Sequence, residues 1–189
     1  THEKSNEITA MPELLALLDL SGTIVTIDAM GCQTEIAKQI KDQGGDYILS
    51  LKGNQGTLHE DTKMLFRYEK QRKHKQAKVH TDVDKGHGRI ETRMCAVLSC
   101  PKAFVHREHW EGIQSLIQLH CQRDLGHKIT TETRYYISSL VLEPKQMLKA
   151  IRSHWSVENN LHWSLDVSFR EDLSRVRKDQ APENLATLR

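Results

Sequence analysis

The sequence has no long apolar run, no paired-cysteine motif, few prolines and almost no net charge, and each shortage narrows what the protein can be. No stretch of the 189 residues approaches 18 consecutive apolar positions, the length a transmembrane helix needs. The opening THEKSNE lacks the basic flank and apolar centre of a secretion signal, so a soluble, cytoplasmic protein with no membrane partner is expected. Cys32, Cys95, Cys100 and Cys121 include no CxxC pair. That pattern argues against a zinc cluster or a disulfide frame and for reduced, mostly buried thiols. No internal repeat or low-complexity tract is present. A hydrophobic share of 38% over this length can bury the core of one ordinary domain, or of one domain carrying an insertion.

The net charge of +2 is weak evidence for a nucleic-acid partner, because binding to a polyanion depends on clustered rather than total charge. The charges are clustered here. Between Lys63 and Arg93 the bases outnumber the acids, which are only Glu69, Asp82, Asp84 and Glu91, whereas in residues 1–60 acids outnumber bases. The two regions therefore differ in sign and in expected task. The run from Arg67 to Lys78 is either a polyanion-binding surface or a solvated helix face.

The four prolines, Pro12, Pro101, Pro144 and Pro182, each precede a plausible helical segment. Leucines at 14, 15, 17 and 18 predict a short helix over Met11–Leu20 with Pro12 near its start. TIVTIDA, Thr23–Ala29, is a β-branched run ending in an acid and predicts a buried strand that exposes Asp28 at its end. Ile36, Ala37 and Ile40 give helical spacing over Gln33–Gln43, stopped by Gly44 and Gly45, and a second strand is expected over Tyr47–Leu51. Strand, helix, strand predicts a parallel βαβ unit. A helix from Leu58 to about Lys75 is expected next. Strands follow over Val79–Asp84 and Ile90–Leu98 around a KGHG turn, then over Ser115–Cys121 and Thr133–Leu140, so the middle reads as mostly β. From Pro144 a long helix is expected to about Leu165, with a final helix opening near Pro182.

The densest signal is HWSVENNLHWSLDVSFRED, residues 154–172. On a helix, steps of about 100° put His154, Glu158, His162 and Leu165 within about 40° of one line, with Ile151 and Trp155 beside them. A carboxylate in so apolar a stripe is costly unless paired or metal-bound. Glu158 is therefore either a metal ligand or a cap on a buried histidine or arginine. Trp155 and Trp163, about 80° apart on that helix, read as packing residues. A His/Glu metalloenzyme built on His154, Glu158 and His162 matches neither the HExxH spacing nor that of di-iron bundles.

Five blocks occur in order: IDAMGCQ (Ile27–Gln33), GGDYILSLKGNQG (Gly44–Gly56), HGRIETR (His87–Arg93), RYYISSL (Arg134–Leu140) and HW-x-x-EN-x-LHW-x-LDV (His154–Val167). Together they resemble consecutive blocks of the H-repeat-associated insertion-sequence transposases, a DDE family, over nearly the whole chain. The resemblance implies an α/β, ribonuclease H-like catalytic core with a β-rich insertion before the final catalytic helix. Laid on this chain, it gives a partial core over 1–78, the insertion over 79–142 and a C-terminal helical part over 143–189. It also implies DNA transposition and recombination: metal-dependent phosphodiester cleavage and strand transfer at insertion-sequence ends, with Mg²⁺ or Mn²⁺ as cofactor and a homo-oligomer as the working form.

By the resemblance, Asp28 is the second catalytic Asp and Glu158 the catalytic Glu, both metal ligands. Related enzymes carry a Tyr, an Arg and a Lys or Arg around the Glu, where this chain has Ile151, His154 and Leu165. His154 is then the expected substitute for the Arg, with Arg152 and His162 as further DNA contacts. Lys52, Asn54 and Gln55 either touch DNA near the site or form a polar loop that closes a strand. Arg89 is either a DNA contact or the partner of Glu91. Residues 1–22 leave no room for the family's opening strands, and Asp19, ending the first helix, is no replacement for the first catalytic Asp. The expectation is an N-terminally truncated core, inactive alone, or a non-catalytic DNA- or protein-binding remnant.

Overall fold

The computed structural model describes residues 7–73, 75–86 and 88–157, with isolated positions beyond. The elements run α1 (Glu7–Ala16), β1 (Ile24–Ile27), α2 (Thr34–Asp42), β2 (Asp46–Leu51), α3 (Gly56–Gln71), β3 (Lys78–Gly86), β4 (Arg89–Ser99), β5 (Ser115–Asp124), β6 (Ile129–Ser138) and α4 (Pro144–Val157). Two compact units divide at residues 150 and 151. In the second, the described residues are the last turns of α4 and the isolated positions. The expected continuation of α4 to Leu165 and the helix opening near Pro182 fall outside the described residues.

The βαβ unit expected from the sequence is present. β1 and β2 pair in parallel, with Ile24 opposite Asp46 and Ile27 opposite Leu49. The helix between them buries Ile36, Ala37 and Ile40, the stripe that its 3.6-residue period dictates. It ends as glycine caps end helices: Gly44 takes φ 76°, its N–H donates to Lys41 O at 3.0 Å, and Gly45 N–H donates to Ile40 O at 2.9 Å. Two carbonyls that the helix end would orphan are satisfied in this way.

The four middle strands form antiparallel neighbours and join the same sheet as β1 and β2. Its order is β1-β2-β6-β5-β4-β3, giving a mixed α/β fold whose six strands are mostly antiparallel. β2 is the hinge of this arrangement, with β1 parallel on one side and β6 antiparallel on the other, Ile48 opposite Ser138 and Leu51 opposite Tyr135. DYILSL is buried almost throughout, as expected of a strand flanked on both edges. Two serines stitch the junction. Ser138 Oγ donates to Tyr47 O at 2.7 Å, while Ser139 Oγ accepts Tyr47 N–H at 2.9 Å and donates to Asp46 Oδ1 at 2.8 Å.

One buried cluster joins Leu15, Ile40, Leu49, Leu58, Leu116 and Ile137. It also takes in Phe104, Trp110 and Ile113, from the β4–β5 connection, where the helical segment expected after Pro101 is only a 3-10 turn over Val105–Glu108.

β1 is shorter than expected, β5 runs on to Asp124 and β6 starts earlier, at Ile129, and three further boundaries differ for reasons visible in the structure. α1 spans Glu7–Ala16, with Pro12 inside it. Leu17 is 84% exposed, and Leu15 and Leu20 face the core instead, so the leucine cluster marks a helix end and the turn after it. α3 stops at Gln71, where Arg72 turns extended at ψ 140°, because the next residues bond back to Glu69. β6 ends at Ser138, since the Ser139 side chain is drawn into the stitch on β2.

Candidate functional site

Parallel strands leave a sheet at the same end, and that is where α/β folds gather functional side chains. β1 and β2 share a last pair, Ile27 opposite Leu49, so the loop after β1 and the turn after β2 emerge side by side. Asp28 is the first residue of that loop and is exposed. Its Oδ1 accepts the backbone N–H of Met30 at 3.0 Å and of Gly31 at 3.4 Å, a self-closing Asx turn that fixes the carboxylate against its own backbone. No Lys, Arg or His of the described residues forms an ion pair with it.

The turn after β2 begins with the exposed Lys52 and contains a 3-10 turn over Gly53–Gln55. Asn54 Nδ2 donates to the Ala29 carbonyl, and Gln55 Nε2 donates to the Cys32 carbonyl at 2.9 Å. Two separate motifs of the sequence, IDAMGCQ and KGNQG, are thereby joined through side-chain amides. The loop between them is tightly packed. Ala29, Gly31 and Cys32 are buried, and a Cβ on Gly31 would lie 2.5 Å from Ile27 Cγ2 and 2.6 Å from Met11 Cε. Burial, reinforced by the nearby Asp28 charge, pushes the Cys32 thiol up to about 12.

The other candidate residues lie elsewhere. Arg89 opens β4 and bonds Glu91 Oε1 through Nε at 2.8 Å. Glu91 also receives Arg93 of its own strand and Arg123 of β5, the latter at 3.1 Å. This carboxylate at the centre of three guanidiniums was not singled out from the sequence beyond its pairing with Arg89. Alternation along β4 places 89, 91 and 93 on one face, and that regularity was the available signal. Burial works to raise the Glu91 carboxyl, but Arg93, Arg89 and Arg123 outweigh it and hold it below the usual glutamate range. Arg93 sits 3.9 Å from both Asp82 and Asp84. Basic residues on this face are thus interleaved with acids.

Arg152 and His154 lie on α4, in the second unit, where the His154 and Trp155 rings meet edge to face with centroids 5.5 Å apart. Glu158 and His162 lie outside the described residues. Among those described, no group of three or more His, Cys, Asp or Glu is arranged to hold a metal ion, and no helix is long and apolar enough to cross a membrane. All four cysteines are free, three of them buried.

A family model described as "Transposase DDE domain" matches residues 1–189. The chain belongs to that family. It is 42% identical over its whole length to "Putative transposase YncI" of Escherichia coli O157:H7, covering 49% of that protein. It is 41% identical, again over its whole length, to "H repeat-associated putative transposase YhhI" of Escherichia coli strain K12, covering 51% of it. A further relative, "Uncharacterized protein in dhlA 3'region" of Xanthobacter autotrophicus, is 41% identical over 75% of this chain. The chain spans about half the length of the curated relatives it matches. The resemblance drawn from the five sequence blocks and the family match agree.

Proposed function

We propose that these 189 residues are the catalytic part of a DDE transposase that cleaves and joins DNA at insertion-sequence ends, with Asp28 and Glu158 as its metal-binding carboxylates. The observation that carries the reading is Asp28 itself: an exposed carboxylate at the carboxyl end of a parallel strand, held by its own loop and unpaired with any described cation. Oxygen donors of this kind suit Mg²⁺ or Mn²⁺, which combine few protein carboxylates with waters and substrate oxygens. With Oδ1 engaged by two N–H groups, Oδ2 is the oxygen a cation would meet. When bound, paired divalent ions supply activation of the attacking hydroxyl and stabilisation of the leaving oxygen. The protein's part would be to supply Asp28 and Glu158 as the carboxylates that hold such ions.

A ribonuclease H-like core with the insertion at 79–142 accords with this reading. β1-α2-β2 would belong to the core, β3 to β6 would be the insertion that extends its sheet, and 143–189 the segment carrying Glu158. Lys52, Arg152, His154 and His162 are proposed phosphate contacts, and the cationic stretch from Lys63 to Arg93 a surface whose DNA affinity falls steeply with salt. A homo-oligomer is the proposed working form.

The family's third carboxylate is assigned to no residue of this chain, so the 189 residues by themselves should not cut DNA. The test is Mn²⁺ binding followed by electron paramagnetic resonance, together with nicking of terminal-repeat DNA. Mn²⁺ affinity should fall in Asp28→Asn and in Glu158→Gln. Affinity unchanged in Asp28→Asn would sink the reading in favour of a non-catalytic DNA- or protein-binding remnant. Metal-dependent nicking by the 189-residue chain, lost in Asp28→Asn, would refute the claimed inactivity alone.

A further inference from the structure

We infer that Asn54 and Gln55 are positioning residues for the Asp28 carboxylate, acting through the backbone of the loop that carries it. The inference rests on the proposed role of Asp28 and adds two residues to that site.

Asp28 aims its carboxylate by receiving the N–H groups of Met30 and Gly31 on one oxygen. The direction of the carboxylate is therefore set by where Met30 and Gly31 sit. Their peptides lie between Ala29 and Cys32, and both of those carbonyls are held from outside the loop, by the amides of Asn54 and Gln55. The loop makes some bonds of its own: Cys32 N–H reaches Ala29 O at 3.3 Å, Gln33 N–H reaches Gly31 O at 2.9 Å, and Gln33 Nε2 reaches Met30 O at 3.3 Å. The Cys32 and Gln33 Nε2 bonds are long and all are local, so they fix the loop's shape without fixing its place relative to the sheet. Among the described residues, the two amides of the neighbouring turn are the side-chain bonds that tie the loop to the other parallel strand, across 25 and 23 positions.

Packing adds the complementary constraint. Gly31 touches Ile27 and Met11 so closely that no Cβ fits, so the loop cannot retreat toward the core, while the amides prevent it from lifting away. A carboxylate that must hold a cation gains from such restraint, because small displacements of a ligand are costly in affinity. The chemistry also requires an amide rather than a lysine or a carboxylate at 54 and 55. An ammonium would add a cation beside Asp28 and compete with a metal, and a carboxylate cannot donate to a carbonyl.

The test uses the 189-residue chain and three variants, Asn54→Ala, Gln55→Ala and Glu69→Gln. The last weakens a comparable side-chain-to-backbone clamp on another loop. Two readings are taken: Mn²⁺ affinity by electron paramagnetic resonance, and hydrogen exchange at the Met30, Gly31 and Cys32 amides with the β5 amides as an index of an intact fold. Loss of one net hydrogen bond corresponds to about a fivefold effect. Asn54→Ala and Gln55→Ala should each weaken Mn²⁺ binding by about that factor and speed exchange in the loop, with β5 protected as before and Glu69→Gln binding Mn²⁺ like the parent. Unchanged Mn²⁺ affinity in both alanine variants, with binding lost in Asp28→Asn, overturns the positioning role and leaves the metal reading standing. Equal weakening in Glu69→Gln makes the effect one of general stability and also overturns it. Binding unaltered by Asp28→Asn removes the reading beneath it, and the positioning role falls as well.

Discussion

Glu69 accepts a hydrogen bond at 2.9 Å from the backbone N–H of Ala77, eight residues further along the chain. It also receives the N–H of Gln76, so one buried carboxylate ends α3 and fixes the basic segment that contains Arg72, Lys73 and Lys75. Burial works to raise the Glu69 carboxyl, but the two N–H groups and Arg72 outweigh it, and the group is held below its ordinary 4.5. A depressed carboxyl stabilises the fold above the unfolded value and loses that contribution as pH falls through the folded one. Glu69→Gln should therefore cost about 1 to 2 kcal/mol at neutral pH. Urea unfolding at several pH values should show the gap steady above 4.5 and shrinking below it.

Glu91→Ala should be the more damaging acid replacement, since it removes the carboxylate that three guanidiniums share and leaves Arg93, whose side chain is only 15% exposed, with its longer contacts to Asp82 and Asp84 alone. The expected loss is about 2 to 3 kcal/mol. The same substitution should tighten binding to double-stranded DNA of any sequence at low salt. The two exposed arginines it unmasks, Arg89 and Arg123, steepen log K against log salt by up to about 1.8, or 0.9 for each phosphate neutralised. A flat response in a binding titration across salt would show that this face does not meet DNA.

Gly31→Ala should destabilise the chain by about 1 to 3 kcal/mol, the usual range for an overpacked core. Met11 can swing its terminal methyl aside, but the Ile27 methyl 2.5 Å away sits on a stiff β-branched side chain. Denaturant midpoints measure the loss. Mn²⁺ affinity should fall with it, since the strain enters between Asp28 and the amides that hold its loop.

Thiol titration offers an independent check on the core. Burial pushes Cys32 and Cys95 up to about 12, and Cys121 is the least buried of the four. In the native chain at pH 8, Cys121 should react first with a thiol reagent. Cys32 and Cys95 should stay silent until denaturant is added, because reactivity needs both thiolate and access.

The parts of this fold that could be read in the sequence are those governed by neighbours in the chain. TIVTIDA, the Ile36–Ile40 stripe and the Gly44–Gly45 stop specify a strand, a helix and its cap within about twenty residues, and KGHG specifies a hairpin. What could not be read depends on distant registry. Nothing in RYYISSL states that it will lie beside DYILSL, and the expectation of a β-rich middle carried no information about which edge it would take. The Asn54 and Gln55 amides were ambiguous for the same reason, because their partners appear only once β1 and β2 are aligned in parallel. Trp110 and Phe104 were missed differently, as core residues in a connection with no period to betray them.

The stitch between Tyr47 and Ser138 spans 91 positions, and this has a consequence for how the chain assembles. Contacts so far apart in sequence are slow to form, because the intervening segment must surrender its freedom before the contact gives anything back. The β3–β4 and β5–β6 hairpins and the β1-α2-β2 unit are all local by comparison, so they are expected to form first, as separate pieces. The Asp28 loop falls within the last of those pieces, and its two amides follow directly after β2 in the chain. Pulse-labelling during refolding should find the loop protected while the β2–β6 seam is still open, and slowing the seam, by Ser138→Ala for example, should delay closure of the sheet without delaying the loop.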